Sequence, residues 1–109
     1  MATTYKVLGQ SNPAATTLTS LYTAPAATQA VVSSIVVANL TATDATFRLA
    51  VRPAGASISD EHYIGYDITV GASDSTVLTM GITMEATDVL SVYASTADVT
   101  FNAYGSEIA

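Results

Sequence analysis

Thr46-Phe47-Arg48-Leu49-Ala50-Val51-Arg52 is the cleanest alternation in the chain. Side chains on a strand point to opposite faces in turn, so Phe47, Leu49 and Val51 are predicted to face a core, and Thr46, Arg48, Ala50 and Arg52 to face out. Thr41 to Asp44 reads as the turn before it, and Pro53-Ala54-Gly55 through Asp60-Glu61 as the loop after it. The same period continues in His62 to Val70, which places Ile64, Tyr66, Ile68 and Val70 inward, and in Ser75 to Ile82, where Leu78, Met80 and Ile82 share a face. Upstream, Tyr5 to Leu8 is a short first strand closed by Gly9, and Leu18 to Thr23 a second, stopped by Pro25. Val89 to Ser95 and Val99 to Tyr104 complete the series.

Gln29 to Asn39 is different. It is rich in β-branched residues and apolar on both faces, as a strand covered on both sides would be. Short strands divided by turn signals, with no helical period of useful length, predict an all-β fold. The expectation is an antiparallel β-sandwich of about eight strands, jelly-roll-like or Ig-like, forming a single domain over 1–109.

Only 11% of the 109 residues are charged, well under the roughly one-quarter usual for soluble domains, and Ser and Thr supply the polar surface instead. Such faces suit being covered by neighbours. The net charge is −6 and Lys6, Arg48 and Arg52 are the only Lys or Arg residues. Three scattered cations make no phosphate-binding stripe, which argues against nucleic-acid binding. With no cysteine, disulfides and thiolate metal sites are excluded. No apolar run approaches the roughly 18 residues of a membrane span, and Met1 to Val7 lacks the basic-then-apolar order of a signal peptide.

Candidates for chemistry are few. His62 follows Asp60 and Glu61 near Ser57 and Ser59, but no nucleophile-elbow pattern surrounds it, and a solvated loop entering a strand accounts for it. Asp60, Glu61, Asp67, Asp74 and Asp88 offer oxygen ligands, yet no compact calcium loop is spelled out, and carboxylates at turns ordinarily bind local amides. No catalytic residue, metal ligand or cofactor is therefore expected, and the chain is not expected to be an enzyme. Arg48 and Arg52, four apart on one polar face, have two readings: cross-strand pairing with carboxylates, or anchoring to a partner. Together with Tyr5 they are the candidate protein-interface residues.

Three stretches carry a resemblance: Met1 to Pro13 with Leu21-Tyr22-Thr23-Ala24-Pro25-Ala26; Val32-Ser33-Ser34-Ile35-Val36-Val37-Ala38-Asn39; and Phe101-Asn102-Ala103-Tyr104-Gly105-Ser106-Glu107-Ile108. With Ala86-Thr87-Asp88-Val89-Leu90-Ser91-Val92-Tyr93 between them, the order resembles small virion structural proteins of tailed bacteriophages, of the type carried by marine phages and cyanophages. The resemblance covers essentially the whole chain. It implies a virion component assembled in the host cytoplasm: a capsid decoration (cement) protein first, since no shaft or linker is present, or else a neck, tail or fibre subunit. The implied partners are the major capsid protein or another virion protein, and further copies of the chain, with a trimer the first expectation. A receptor- or carbohydrate-binding module of the virion is the competing expectation.

Overall fold

The protein, described over residues 2–109 by a computed structural model, forms eight strands: β1 (Thr3–Ser11), β2 (Thr19–Thr23), β3 (Gln29–Asn39), β4 (Ala45–Arg52), β5 (Tyr63–Val70), β6 (Ser75–Met84), β7 (Val89–Ala94) and β8 (Val99–Ile108). Two single 3-10 turns, Pro53–Gly55 and Asp60–His62, lie in the loop between β4 and β5. The sheets run β1-β8-β3-β6 and β2-β7-β4-β5, and every pairing is antiparallel. β1 pairs with β8, β2 with β7, β3 with β6 and β4 with β5, so the pairs nest like one long hairpin wound on itself. That is the jelly-roll order, and it settles the choice the sequence left open against the Ig arrangement.

The core fills the space between the sheets. Phe47 from β4 and Phe101 from β8 are fully buried and meet edge to face, with ring centroids 6.0 Å apart. Ile35, Leu49, Leu90, Val32, Val37, Val92 and Val99 complete the packing, and Val51 lies half-buried against it. The inward set predicted for β4 is thus observed.

β5 departs from expectation. Ile68 and Val70 face the core, but Ile64 and Tyr66 are exposed. Between Phe47↔Ile68 and Leu49↔Gly65, β5 runs one residue longer than β4, and between Leu49↔Gly65 and Ala50↔Tyr63 it does so again. Asp67, at φ 50°, takes the left-handed conformation that absorbs the first insertion. Each added residue flips the side chains beyond it to the other face. β1 is likewise not closed by Gly9: it continues to Ser11 past a register shift at Val7/Gly9. A Cβ on Gly9 would come within 2.1 Å of the Leu21 carbonyl oxygen, so glycine there permits the two strands' close approach.

β3 has a phase change of its own. Ala30 and Val32 point inward, then Ser33 and Ser34 intervene, and Ile35, Val37 and Asn39 point inward after them. The apolar residues left on its outer side are Val31, Val36 and Ala38, all half-buried.

Where β3 ends, Asn39 is buried and spends both ends of its amide. Its Nδ2 donates to the carbonyls of Thr43 (2.8 Å), Val70 (3.2 Å) and Gly71 (3.2 Å), while Oδ1 accepts from the Thr41 N–H and hydroxyl at 3.0 and 2.9 Å. One side chain therefore joins the β3–β4 corner to the β5–β6 turn.

Phe47→Ala should cost about 3–5 kcal/mol in a chemical-denaturation experiment, because it leaves a void against Phe101. Asn39→Asp, nearly identical in shape, should cost about 3 kcal/mol, since it aims a carboxylate at three carbonyl oxygens. An unchanged unfolding midpoint for Asn39→Asp would mean the amide does not hold the corner.

Candidate interaction surface

The sandwich has two outer faces, and they differ. On the β2-β7-β4-β5 sheet the outward residues Ala50, Ser91 and Val89 are buried, although Ala50 was expected to be exposed. The β4–β5 loop lies over them. Arg52 fastens it: Nη1 donates to the carbonyls of Gly55 (3.2 Å) and Ala56 (3.0 Å), and Nε donates to the Ser91 hydroxyl at 3.1 Å. Asp88 adds a tie, accepting from the Ala54 N–H at 2.9 Å.

Arg48 lies beside the loop on the same face, where Tyr66 stays exposed. Its Nε donates to Asp67 Oδ1 at 2.6 Å, and its guanidinium lies 4.1 Å from the Tyr66 ring centre and 4.3 Å from that of Tyr93. Bonding to Asp67 raises the Arg48 pKa beyond its already high ordinary value, so the cation is permanent. Arg48 thus makes the cross-strand carboxylate pair the sequence allowed, whereas Arg52 binds carbonyls and a hydroxyl. Both arginines serve their own chain's outer face. The bulge that exposed Tyr66 is also what brings Asp67 and the ring to Arg48.

The β1-β8-β3-β6 sheet has no such cover. Directly paired residues share a face, so three rows cross its outside: Tyr5–Ser106–Val31–Thr83, Val7–Tyr104–Ser34–Thr79 and Gln10–Asn102–Val36–Val77. None is charged. Across the four strands only Lys6 and Glu107 carry charge, and both turn to the opposite side. Tyr5 is 82% exposed, Val77 59%, and Val7 and Tyr104 are also exposed. Of the three interface candidates, Tyr5 alone lies here, on the other side of the molecule from Arg48 and Arg52.

Glu107, with Lys6 beside it on the same sheet, is clipped to Tyr22 of the opposite sheet. The buried Tyr22 of β2 donates its hydroxyl to Glu107 Oε2 at 2.6 Å, and Lys6 Nζ binds Oε1 at 3.2 Å. Burial foremost, then the bond to Glu107 and its charge, push the Tyr22 phenol well above its ordinary value. The Tyr22 bond foremost, with help from Lys6, holds Glu107 below the usual carboxylate range against the opposing effect of burial.

The remaining polar residues do local work. Asp74 and Asp88 accept from the N–H groups of Ser75 and Glu85 at 2.7 and 2.9 Å, the turn role expected of them, while Asp44 reaches from the β3–β4 turn to the Ala72 N–H of the β5–β6 turn at 3.0 Å. Ser59 and His62 cap one 3-10 turn reciprocally, with the Ser59 N–H donating to His62 Nδ1 at 3.1 Å. Ser59 and His62 are therefore turned to holding a loop. Among the described residues no three His, Cys, Asp or Glu side chains cluster, and no buried side-chain polar atom lacks a partner.

Because the Glu107 pKa is lower folded than unfolded, its stabilisation is fully present above the unfolded value of about 4.3 and is lost as pH falls through the folded value. Glu107→Gln should thus melt below the wild type near neutral pH, and the two should converge below about pH 4. Tyr22→Phe should cost about 1–2 kcal/mol, less than most bonds to a charged group because the carboxylate remains near water. Parallel melting curves with a pH-independent gap would show that the clip carries no charge-linked stability.

No family model matches the chain, and neither a curated protein nor a solved structure is significantly similar to it.

Proposed function

We propose that the chain is a structural protein of a tailed-phage virion, a capsid decoration protein that docks on the particle through the outer face of its β1-β8-β3-β6 sheet. The observation that carries this reading is the contrast between the two outer faces. One carries both arginines and Asp67 and is partly covered by the chain's own loop, with Tyr66 left exposed toward its β5 edge; the other presents tyrosine, valine, amide and hydroxyl groups with no charge and no cover. A surface of that make-up can lie against another protein without stranding an ion, and its aromatic residues are of the kind enriched at interfaces. The jelly-roll order is in keeping, since capsid and lectin domains use it, although a fold alone names no function. The resemblance of the β1, β3 and β8 segments to small virion proteins supplies the particle.

Placement on the neck, tail or fibre is the variant of the same reading. Glycan binding is the second reading, and one observation favours it: Tyr5 and Tyr104 share the face with the bonded amide pair Gln10–Asn102 (2.7 Å), a combination of rings and amides that suits sugars.

Quantitative mass spectrometry of the particles that encode the chain tests the proposal. Hundreds of copies per particle place it on the capsid, a few copies on the neck or tail, and absence from the particle overturns the reading. Tyr104→Lys, at the middle of the exposed face, should lower particle occupancy about tenfold, equivalent to ~1.4 kcal/mol, while the isolated protein keeps its melting temperature. Glycan-array binding that Tyr104→Lys abolishes, with no particle association, would transfer the face to the second reading.

A further inference from the structure

The outer face that carries the arginines holds a second feature, separate from the docking proposed for the opposite sheet. A guanidinium has a side edge, Nε with Nη2, and an end edge, Nη1 with Nη2, each offering two parallel N–H groups. Arg48 spends its side edge on Asp67, with Nε 2.6 Å from Oδ1 and Nη2 3.4 Å from Oδ2. Among the described residues its Nη1 has no partner, and no buried side-chain polar atom lacks one, so this nitrogen is open to solvent. The other two cations are spent differently. Arg52 gives Nη1 to the Gly55 and Ala56 carbonyls, and Lys6 is paired with Glu107.

The free edge of Arg48 is also held still. β4 lies between β7 and β5, and each neighbour sends a ring over the guanidinium, Tyr93 at 4.3 Å and Tyr66 at 4.1 Å. Tyr63 steadies Tyr66 edge to face, with ring centres 5.0 Å apart. Asp67 holds the side edge from a left-handed backbone, φ 50°, within the β5 bulge. Bulges re-aim side chains beside sites, and backbone held in such a conformation is concentrated at ligand clamps. An arginine fixed in this way loses little freedom when it takes a further acceptor.

We propose that Arg48, Tyr66 and Asp67 form a binding site for a sugar acid, a pyranose ring that carries a carboxylate. The carboxylate accepts both N–H groups of the Arg48 end edge, the acceptor that a guanidinium fork matches best. Tyr66, 57% exposed, offers its ring to the C–H face of the sugar. Asp67, its side chain 47% exposed, keeps lone pairs for the hydroxyls that neighbour the ligand's carboxylate. Those hydroxyls offset the repulsion between Asp67 and the ligand's charge. An acidic side chain of a protein has neither the hydroxyls nor the flat C–H face, so the three groups together favour the sugar acid. The anchoring role that the sequence allowed for Arg48 is thereby directed at a small ligand.

Magnetic-resonance titration of the full chain with methyl glucuronide and methyl glucoside tests the site, since the two differ only in carboxylate against hydroxymethyl. The glucuronide should shift the Arg48 Nε–H and Tyr66 ring signals and bind about tenfold tighter than the glucoside, because it alone engages the fork. Acetate, a carboxylate without a ring, should bind about tenfold more weakly than the glucuronide. Arg48→Lys keeps the charge but loses the fork, and should weaken glucuronide binding by a similar factor. Tyr66→Ala removes an exposed ring, so it should keep the wild-type melting temperature and still bind glucuronide less tightly. No shift at any glucuronide concentration, equal affinity for glucoside or acetate, or unchanged affinity in either variant would overturn the proposal. So would shifts confined to Tyr5 and Tyr104, which would put the sugar on the opposite face. None of these outcomes depends on whether the protein is found on particles.

Discussion

A strand shows its sides in strict alternation, and the sandwich depends on where that alternation is interrupted. At Ser33–Ser34 β3 runs one residue longer than β8 and one shorter than β6, and this shift lets Ala30 and Val32 enter the core before it and Ile35 and Val37 after it. Without the interruption one half of the strand would present its core residues to the outside. Gly105 sits opposite Val32, and a Cβ there would fall 1.9 Å from the Val31 carbonyl oxygen, so the neighbouring strand has to omit its side chain where β3 bends. The central strand's packing, its neighbour's glycine and the sheet's outer rows all follow from that single irregularity.

Much of the fold was legible because most strands obey the simple period. β4 was read correctly from Phe47, Leu49 and Val51, and the bounds of β3 were read to the residue. β5 failed at Asp67, whose left-handed backbone leaves no mark in a hydrophobicity pattern. β8 was read only to Tyr104, whereas Gly105 serves close approach inside a strand that continues to Ile108. The candidate site was less legible. Nothing local links Tyr22 to Glu107, or Arg48 to Asp67; those partners are set by topology. Asn39 did leave a signal: a polar residue at an inward position, closing the greasiest stretch of the chain, has to find partners when buried. The apolar outer side of β3 was anticipated in kind, and the phase change reduced it to Val31, Val36 and Ala38.

The two outer faces show different solutions to one problem. A sheet face left bare must be polar, be covered, or be offered to something else. The β2-β7-β4-β5 sheet takes cover from its own loop, using two of the chain's three Lys and Arg residues to fasten it or to fill in beside it. The opposite sheet spends no cation on its outer face. Scarcity of charge is thus unevenly distributed, and the distribution separates a charged, partly covered side from an uncharged, open one.

The nested pairing has a consequence for how the molecule comes into being. Of these eight strands β1 is synthesised first, and its sheet partner β8 last. Even the flanking residues meet, with the Ala2 N–H bonded to the Ala109 carbonyl and the reverse, each at 3.0 Å. Only β4 and β5 find each other across a local loop, so assembly has to work outward from the middle of the chain while its beginning waits. During that wait Tyr5, Val7 and Leu8 travel without a partner strand. For an acidic chain the mutual repulsion of nascent copies is then a safeguard, keeping unfinished molecules apart until the last strand arrives.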